Sequence, residues 1–596
     1  MASSRNPRAK VDSFLPTFQD RGQSVAQASS PASSGGVPPP VRAASPGGTP
    51  DKPAGGDARA TLPTALANPL PLIRMNSRAT AAALLLMTLS ALAAPEAEFI
   101  RVAPDHWRFE TSVSKTPFIP FGANFVLSDK CYLNPFAPGV YDPARFEHVL
   151  AALEGLGFNT VKVFLPIGQV LPDPQVPGSV RIAPGYLDNV DDFLRLAARH
   201  HIRVVVCLAC WGGSGLRWWH DGGEYFGRHP WHADPGIDTL DVLCRFWKQL
   251  CERLRDNPAV FSYTPAVEWE FPAGNLSWTP SAQQPGRLKS APGLFYWRAF
   301  LQARYHGSIA DLNRAYGTAY DDFPAVPIVD FTYDAKQKRY ADPEAKVLDY
   351  QDFREWASRR YFKPQIAAFR AADRHHMVTI SNHSRRVIGL WEGAAPYFCG
   401  FEVPEQSDLV DYLTTHDNES QSRLKPGQTV EDLVHGLALQ CRFCNAFSRK
   451  PLVIEEFTFA APDTSRVADG QASMVLGTLG HASGWMNWYI QFPHEPDSAD
   501  TPGADHSAIL DDDLRPTPWG LRARDLIAQL HRSDLSRLPP KTTIKLDRQK
   551  ELVPHTLGTQ LRIVSDWGAY QHPVDFLWPS NQWIDLQLQP PPSQVT

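Results

Sequence analysis

Two short runs place glutamates at the ends of apolar, β-branched stretches: Ala266-Val-Glu-Trp-Glu270 and Val453-Ile-Glu-Glu-Phe457. A pair of carboxyl groups facing each other across a cleft can hydrolyse a glycosidic bond with retention. One protonates the leaving oxygen and the other attacks the anomeric carbon, from about 5 Å away. Other polar residues fall at the ends of similar stretches: Asn124, Asn382 followed by His383, and His416. Tryptophans near such ends, Trp211 with Trp218 and Trp219, and Trp488, offer flat faces that suit the C–H face of a sugar ring. Taken singly, each has a plainer explanation. A lone histidine is more often a packing residue, a barrel glutamate a buried ion pair, and a tryptophan core filling. Their convergence favours chemistry.

Positioning these residues requires a scaffold that brings distant strand ends together. From about residue 99, short β-branched runs alternate with longer amphipathic stretches, the pattern of βα units. Eight strands are predicted: Phe118–Asn124, Thr160–Leu165, Arg203–Ala209, Val260–Glu268, Met377–His383, Leu409–His416, Pro451–Glu456 and Gly484–Gln491. Helical segments lie at Pro143–Leu156, Val190–His201, Leu240–Arg255, Tyr350–His375, Thr429–Ser448 and Gly520–Arg532, with the eighth helix ending near Leu535. Eight such units make an α/β fold, a (β/α)8 TIM barrel, whose chemistry sits at the C-terminal ends of the strands. The Pro-rich segments Trp269–Leu294 and Phe492–Pro518 read as long βα loops that shape a cleft.

Asn257-Pro-Ala-Val-Phe-Ser-Tyr-Thr-Pro-Ala-Val-Glu268 resembles the fourth-strand motif of clan A glycoside hydrolases, and Lys450-Pro-Leu-Val-Ile-Glu-Glu456-Phe457 resembles their seventh. That clan includes families 5 and 42, and the resemblance spans roughly residues 99–535 as spaced motifs. It implies that Glu268 is the acid/base and Glu456 the nucleophile of a retaining β-glycosidase. The clan's asparagine before the acid/base, which meets the sugar 2-hydroxyl, is replaced by Val267. A two-residue slip would instead make Trp269-Glu270 the matching pair, so Glu270 is the reserve acid/base and Trp269 a candidate substrate contact. Lys162 falls where the clan often has an arginine beside the nucleophile, and a cation there favours an ionised Glu456. His416 resembles the sixth-strand histidine and Trp488 the eighth-strand floor of the −1 subsite. Glu455 should point away from Glu456 on a regular strand and be structural. Phe295–Phe323, with its Leu312-Asn-Arg-Ala-Tyr-Gly-Thr318, resembles a family 42 segment, which favours β-galactosides, with β-mannan or β-glucan next.

Composition narrows the partners. A net charge of -5, with no cationic stripe, provides no field for polyanions, so nucleic acid is not expected. A carbohydrate substrate is expected, with no cofactor and no metal; Cys207-x2-Cys210 and Cys441-x2-Cys444 lie in apolar runs where burial or disulfides fit better than zinc. A metal-dependent hydrolase on this fold would want a His-x-His after the first strand, which is missing. The rival from another class is a non-catalytic carbohydrate-binding barrel, with Val267 as its sign. Residues 1–74 are Ser-, Pro- and Gly-rich and are expected to be a disordered extension, preceding the true start at Met75. Residues 75–97 read as a signal peptide: Arg78, then apolar Ala79–Ala94, then small residues. The expectation is a secreted or periplasmic protein without stable membrane insertion, the alternative being an anchor by the uncleaved signal. Residues 98–538 form the catalytic barrel and 539–596 an extension with β character, in Thr542–Asp547, Gln560–Asp566 and Trp583–Gln589.

Overall fold

Eight parallel strands form one continuous sheet in the computed structural model of the protein, which describes residues 97–129, 131–209, 219–220, 231–232, 237–267, 292–329, 333–334, 339–382, 407–417, 429–447, 450–494, 503–533, 560–565, 568–573 and 585–588. The strands are β1 (Phe121–Asn124), β2 (Thr160–Pro166), β3 (Arg203–Ala209), β4 (Val260–Thr264), β5 (Met377–Val378), β6 (Leu413–Asp417), β7 (Leu452–Phe457) and β8 (Gly484–Asn487). Their order is β5-β4-β3-β2-β1-β8-β7-β6, so the two end strands are consecutive in the chain. This is the order of a (β/α)8 barrel.

The strands form where both faces can be buried. β2, TVKVFLP, is buried at all 7 positions, and β3, RVVVCLA, at all but its first. Strands covered by helices outside and by other strands' side chains inside read as unbroken apolar runs. β2 and β3 pair without a break from Thr160 opposite Arg203 to Pro166 opposite Ala209.

Around the sheet lie α1 (Pro143–Gly155), α2 (Tyr186–Arg199), α3 (Thr239–Leu254), α4 (Pro292–Arg304), α5 (Ile309–Tyr316), α6 (Glu344–Ala372), α7 (Val430–Phe447), α8 (Val467–Gly477) and α9 (Pro518–Arg532). α2 buries Val190, Phe193, Leu194 and Ala197 at the spacing of one helical face. Asp142 caps α1, Asp238 caps α3 and Thr517 caps α9 ahead of a first-turn proline. α8 was not expected. Its glycines blur the apolar period, and one of them makes room for packing: a Cβ at Gly470 would come within 2.3 Å of the ring of Phe459.

Five expected strands change, the sixth starting only at Leu413 and the eighth ending at Asn487. Phe118 belongs to a separate antiparallel ribbon of Ile100–Val102, Phe109–Thr111 and Pro117–Phe118, and the first barrel strand starts at Phe121. The ribbon covers the N-terminal end of the barrel, where Ile100 and Phe109 pack with Val205, Phe261, Met377, Tyr412, Val453 and Met486. The expected fourth strand keeps its ladder only to Thr264. β5 keeps only two ladder residues, because side chains take over beyond them. Asp411 N donates to Val378 O at 2.8 Å, and Asp411 Oδ2 accepts from Val378 N. Thr379 Oγ1 donates to Tyr412 O, and Thr414 Oγ1 donates to Ile380 O and accepts from Asn382 N. These bonds close the barrel between β5 and β6.

The segment with family 42 resemblance forms a clasp. Asn313 Oδ1 accepts from Thr318 Oγ1 and Tyr320 N, and its Nδ2 donates to Tyr320 O. Gly317 ends α5 with φ 67°, a left-handed cap that favours glycine. Tyr305 and Tyr316 both donate to Asp349 of α6. Further along, Gln560–Ser565 pairs antiparallel with Gly568–Pro573 and parallel with Asp585–Leu588. Residues 1–96 and 542–547 lie outside the described residues.

Candidate active site

Lys162 of β2 and the C-terminal ends of β6 and β7 converge on one buried cluster, and a fault in β7 creates it. Ile454 lies opposite Trp485 of β8, while Phe457 lies opposite Asn487, so β7 takes three steps where β8 takes two. Against β6, Ile454 pairs with Thr415 and Glu456 with His416, again one residue over. Glu455 is the extra residue of a β-bulge. Val453 packs inside the barrel with the lower cluster, so regular alternation would turn Glu455 inward and Glu456 toward the helices. The bulge lets both face the same partners.

The expected opposition of Glu455 and Glu456 is therefore corrected. Lys162 Nζ donates to Glu455 Oε2, Glu456 Oε1 and Ser381 Oγ, at 3.0 Å each. His416 Nδ1 lies 3.3 Å from Glu456 Oε2, and its Nε2 lies 3.0 Å from Ser381 Oγ and 3.4 Å from Glu455 Oε2. Lys162, Glu455 and His416 are fully buried and Glu456 is 2% exposed. Burial by itself would raise the Glu455 carboxyl, but Lys162 and His416 outweigh it and hold it down to about 2. Burial would likewise lower the Lys162 ammonium, yet Glu455 and Glu456 raise it above its ordinary range.

The other expected site residues are placed differently. Asn124 supports the bulge: its Nδ2 donates to the carbonyl of Glu455 at 2.9 Å and to that of Asn487 at 3.2 Å. Asn382 is stapled to β6, its Nδ2 donating to Thr414 O. The Trp488 ring is half-buried beyond β8, edge-on to Tyr132 and Phe164, and its backbone N–H donates to Phe457 O. Its peptide bond to Tyr489 is cis. Glu268, Trp269, Glu270, Trp211, Trp218 and His383 lie outside the described residues. Ser381 was missed by sequence reading, since nothing distinguishes a serine that bridges a lysine and a histidine from any other. Among the described residues, no group of three or more His, Cys, Asp or Glu side chains could hold a metal ion, and no helix is long and apolar enough to cross a membrane. Cys207 is buried in β3, and Cys441 and Cys444 are buried on α7; Cys210 lies outside the described residues.

Residues 241–452, just over a third of the chain, match the family model described as Glyco_hydro_42, beta-galactosidase. The match runs from α3 to the first residue of β7. Among solved structures, the chain is similar to the β-galactosidase of the psychrophilic Marinomonas ef1, at 15% identity and a TM-score of 0.48, over 69% of this chain and 60% of that one. It is similar to a GH42 β-galactosidase of G. stearothermophilus at 13% and 0.49, over 69% and 56%. A GH5_18 enzyme of Streptomyces cattleya in complex with Manβ1-4GlcNAc is similar at 15% and 0.44, over 75% and 85%. The chain thus spans under two thirds of the length of the β-galactosidases. No curated protein matches it in sequence. Residues 241–452 are thus similar to the family 42 glycoside hydrolases, within a chain folded as an eight-stranded parallel barrel.

Proposed function

We propose that the protein is a retaining β-glycosidase that cleaves O-glycosidic bonds of a β-linked oligo- or polysaccharide, β-galactosides first, β-mannan or β-glucan next. The observation that carries this reading is Glu456 at the C-terminal end of β7, with one carboxylate oxygen on Lys162 and the other against His416. A carboxylate gripped at both oxygens is oriented for attack on one carbon. Glu456 attacks the anomeric carbon while Glu268, with Glu270 in reserve, gives its proton to the departing oxygen. The same acid then takes a proton from water, which breaks the glycosyl ester with net retention. The family match over residues 241–452 supports a β-galactoside as the first substrate to try.

A panel of aryl β-glycosides tests this. With an activated leaving group, Glu268→Ala should stall at deglycosylation and recover with azide, giving the β-glycosyl azide. Glu456→Gly should recover only as the α-azide. Rescue of Glu270→Ala in place of Glu268→Ala would reassign the acid, and a wild type inactive on the whole panel would overturn the reading. Export is inferred from Arg78 and the Ala79–Ala94 run. The N-terminus of protein recovered outside the cytoplasm should lie near residues 94–98, and a mature chain retaining residues 1–74 would count against export.

A further inference from the structure

The double displacement just described has no use for Glu455, yet this carboxylate is buried at the centre of the cluster. Its Oε1 has no hydrogen-bond partner among the described residues. A buried carboxylate with one bare oxygen is a costly thing to keep for packing alone.

What Glu455 touches suggests its use. An arginine fork fixes a carboxylate by its own shape, whereas a lysine is a compact charge on a flexible stem with three rotating donors. Here all three donors have fixed acceptors. Ser381 Oγ and Glu455 Oε2 take two of them, so the third has one direction left, toward Glu456 Oε1. Glu455 Oε2 also lies 3.4 Å from Nε2 of His416, the ring whose Nδ1 faces Glu456 Oε2. Both groups that grip Glu456 are thus gripped from behind by Glu455. The bulge brings it there, and Asn124 holds the bulge by the Glu455 carbonyl.

We propose that Glu455 is a positioning residue: it orients Lys162 and His416 onto Glu456 and, by sharing the charge of Lys162, leaves Glu456 the electron density to attack. The inference rests on Glu456 as the nucleophile. Among the described residues, the titratable side chains around these four groups include Tyr412, whose phenol is raised by burial and by Glu455, and Cys207 of β3 beside Lys162.

Glu455→Gln keeps the size and removes the charge. Lys162 then acts on Glu456 alone, so Glu456 should titrate lower by about one pH unit. The acid limb of kcat/KM on an aryl β-glycoside should move down with it, and kcat should fall by about tenfold or more. An infrared pH titration of the carboxylate band, assigned with Glu456→Gln, reads the same shift without turnover. An inactive wild type would defeat the glycosidase reading; an unmoved Glu456 titration in Glu455→Gln would overturn the role of Glu455. Glu455→Asp is the second variant, should the first not fold. It keeps the charge but withdraws it by a methylene, so the acid limb should stay while kcat falls about tenfold. A kcat within about twofold of wild type would overturn the positioning role.

Discussion

The two ends of the barrel are made by the same strands and filled by opposite chemistry. At the N-terminal end, the ribbon sets Phe109 edge-on against Phe261 and Tyr412, over Val205, Met377, Val453 and Met486. At the C-terminal end, Lys162, Glu455, Glu456, His416 and Ser381 share buried polar bonds. On β7 the change takes two residues, from Val453 to Glu455. Apolar burial at one end stabilises a fold that can carry a costly charge cluster at the other. Substitutions at the two ends should therefore fail in different ways.

The largest effect is expected from Glu456→Gln, which should lower turnover of an activated glycoside by at least about 10⁴-fold. Its melting temperature should scarcely move, and residual turnover near wild type would break the assignment of chemistry to this end. Phe109→Ala should do the reverse, costing about 3–5 kcal/mol of stability by leaving a cavity under the barrel. Its kcat/KM, measured on the folded fraction, should be that of wild type; a parallel loss would mean that the ends are not separable. Asn124→Ala should blur the distinction, because it bares the Glu455 carbonyl. Denaturant unfolding should show a loss of about 1–3 kcal/mol, and turnover should fall by about 10²-fold as the bulge relaxes. The smallest effect is in acid. The Glu455 carboxyl is depressed from 4.5 to about 2 in the folded protein, so its contribution to stability is complete above pH 4.5 and is lost as pH falls toward 2. Glu455→Gln should flatten that part of the stability profile, whereas Phe109→Ala should lower the profile equally at every pH.

What was legible in the sequence follows the same divide. β2 and β3 are readable because strands buried on both faces leave apolar runs, and α2 and α3 because one buried face repeats. Glu456 and His416 are readable as polar residues at strand ends, and Lys162 through its resemblance to the clan's arginine. The ribbon was missed because strands of two or three residues leave no period, and α8 because glycines interrupt it. Glu455 was visible but sent to the wrong face: alternation is a local rule, and a bulge is set by pairing with β6 and β8, which two adjacent glutamates do not reveal. Ser381 has meaning only through Lys162 and His416, which are distant in sequence.

The seam between β5 and β6 has a consequence for how the chain can be connected. Its single backbone bond among the described residues, with side-chain bonds from Thr379, Asn382, Asp411 and Thr414 around it, joins strands that follow one another in sequence. The first and last barrel strands, by contrast, are laddered directly, with Trp485 to Asn487 opposite Phe121 to Ala123. A circular permutant that links the natural ends of the barrel and opens the chain between β5 and β6 would keep every strand ladder. It should fold with the wild-type circular dichroism spectrum, while one opened between β2 and β3 would cut the connection at the longest parallel pairing and should fold less well.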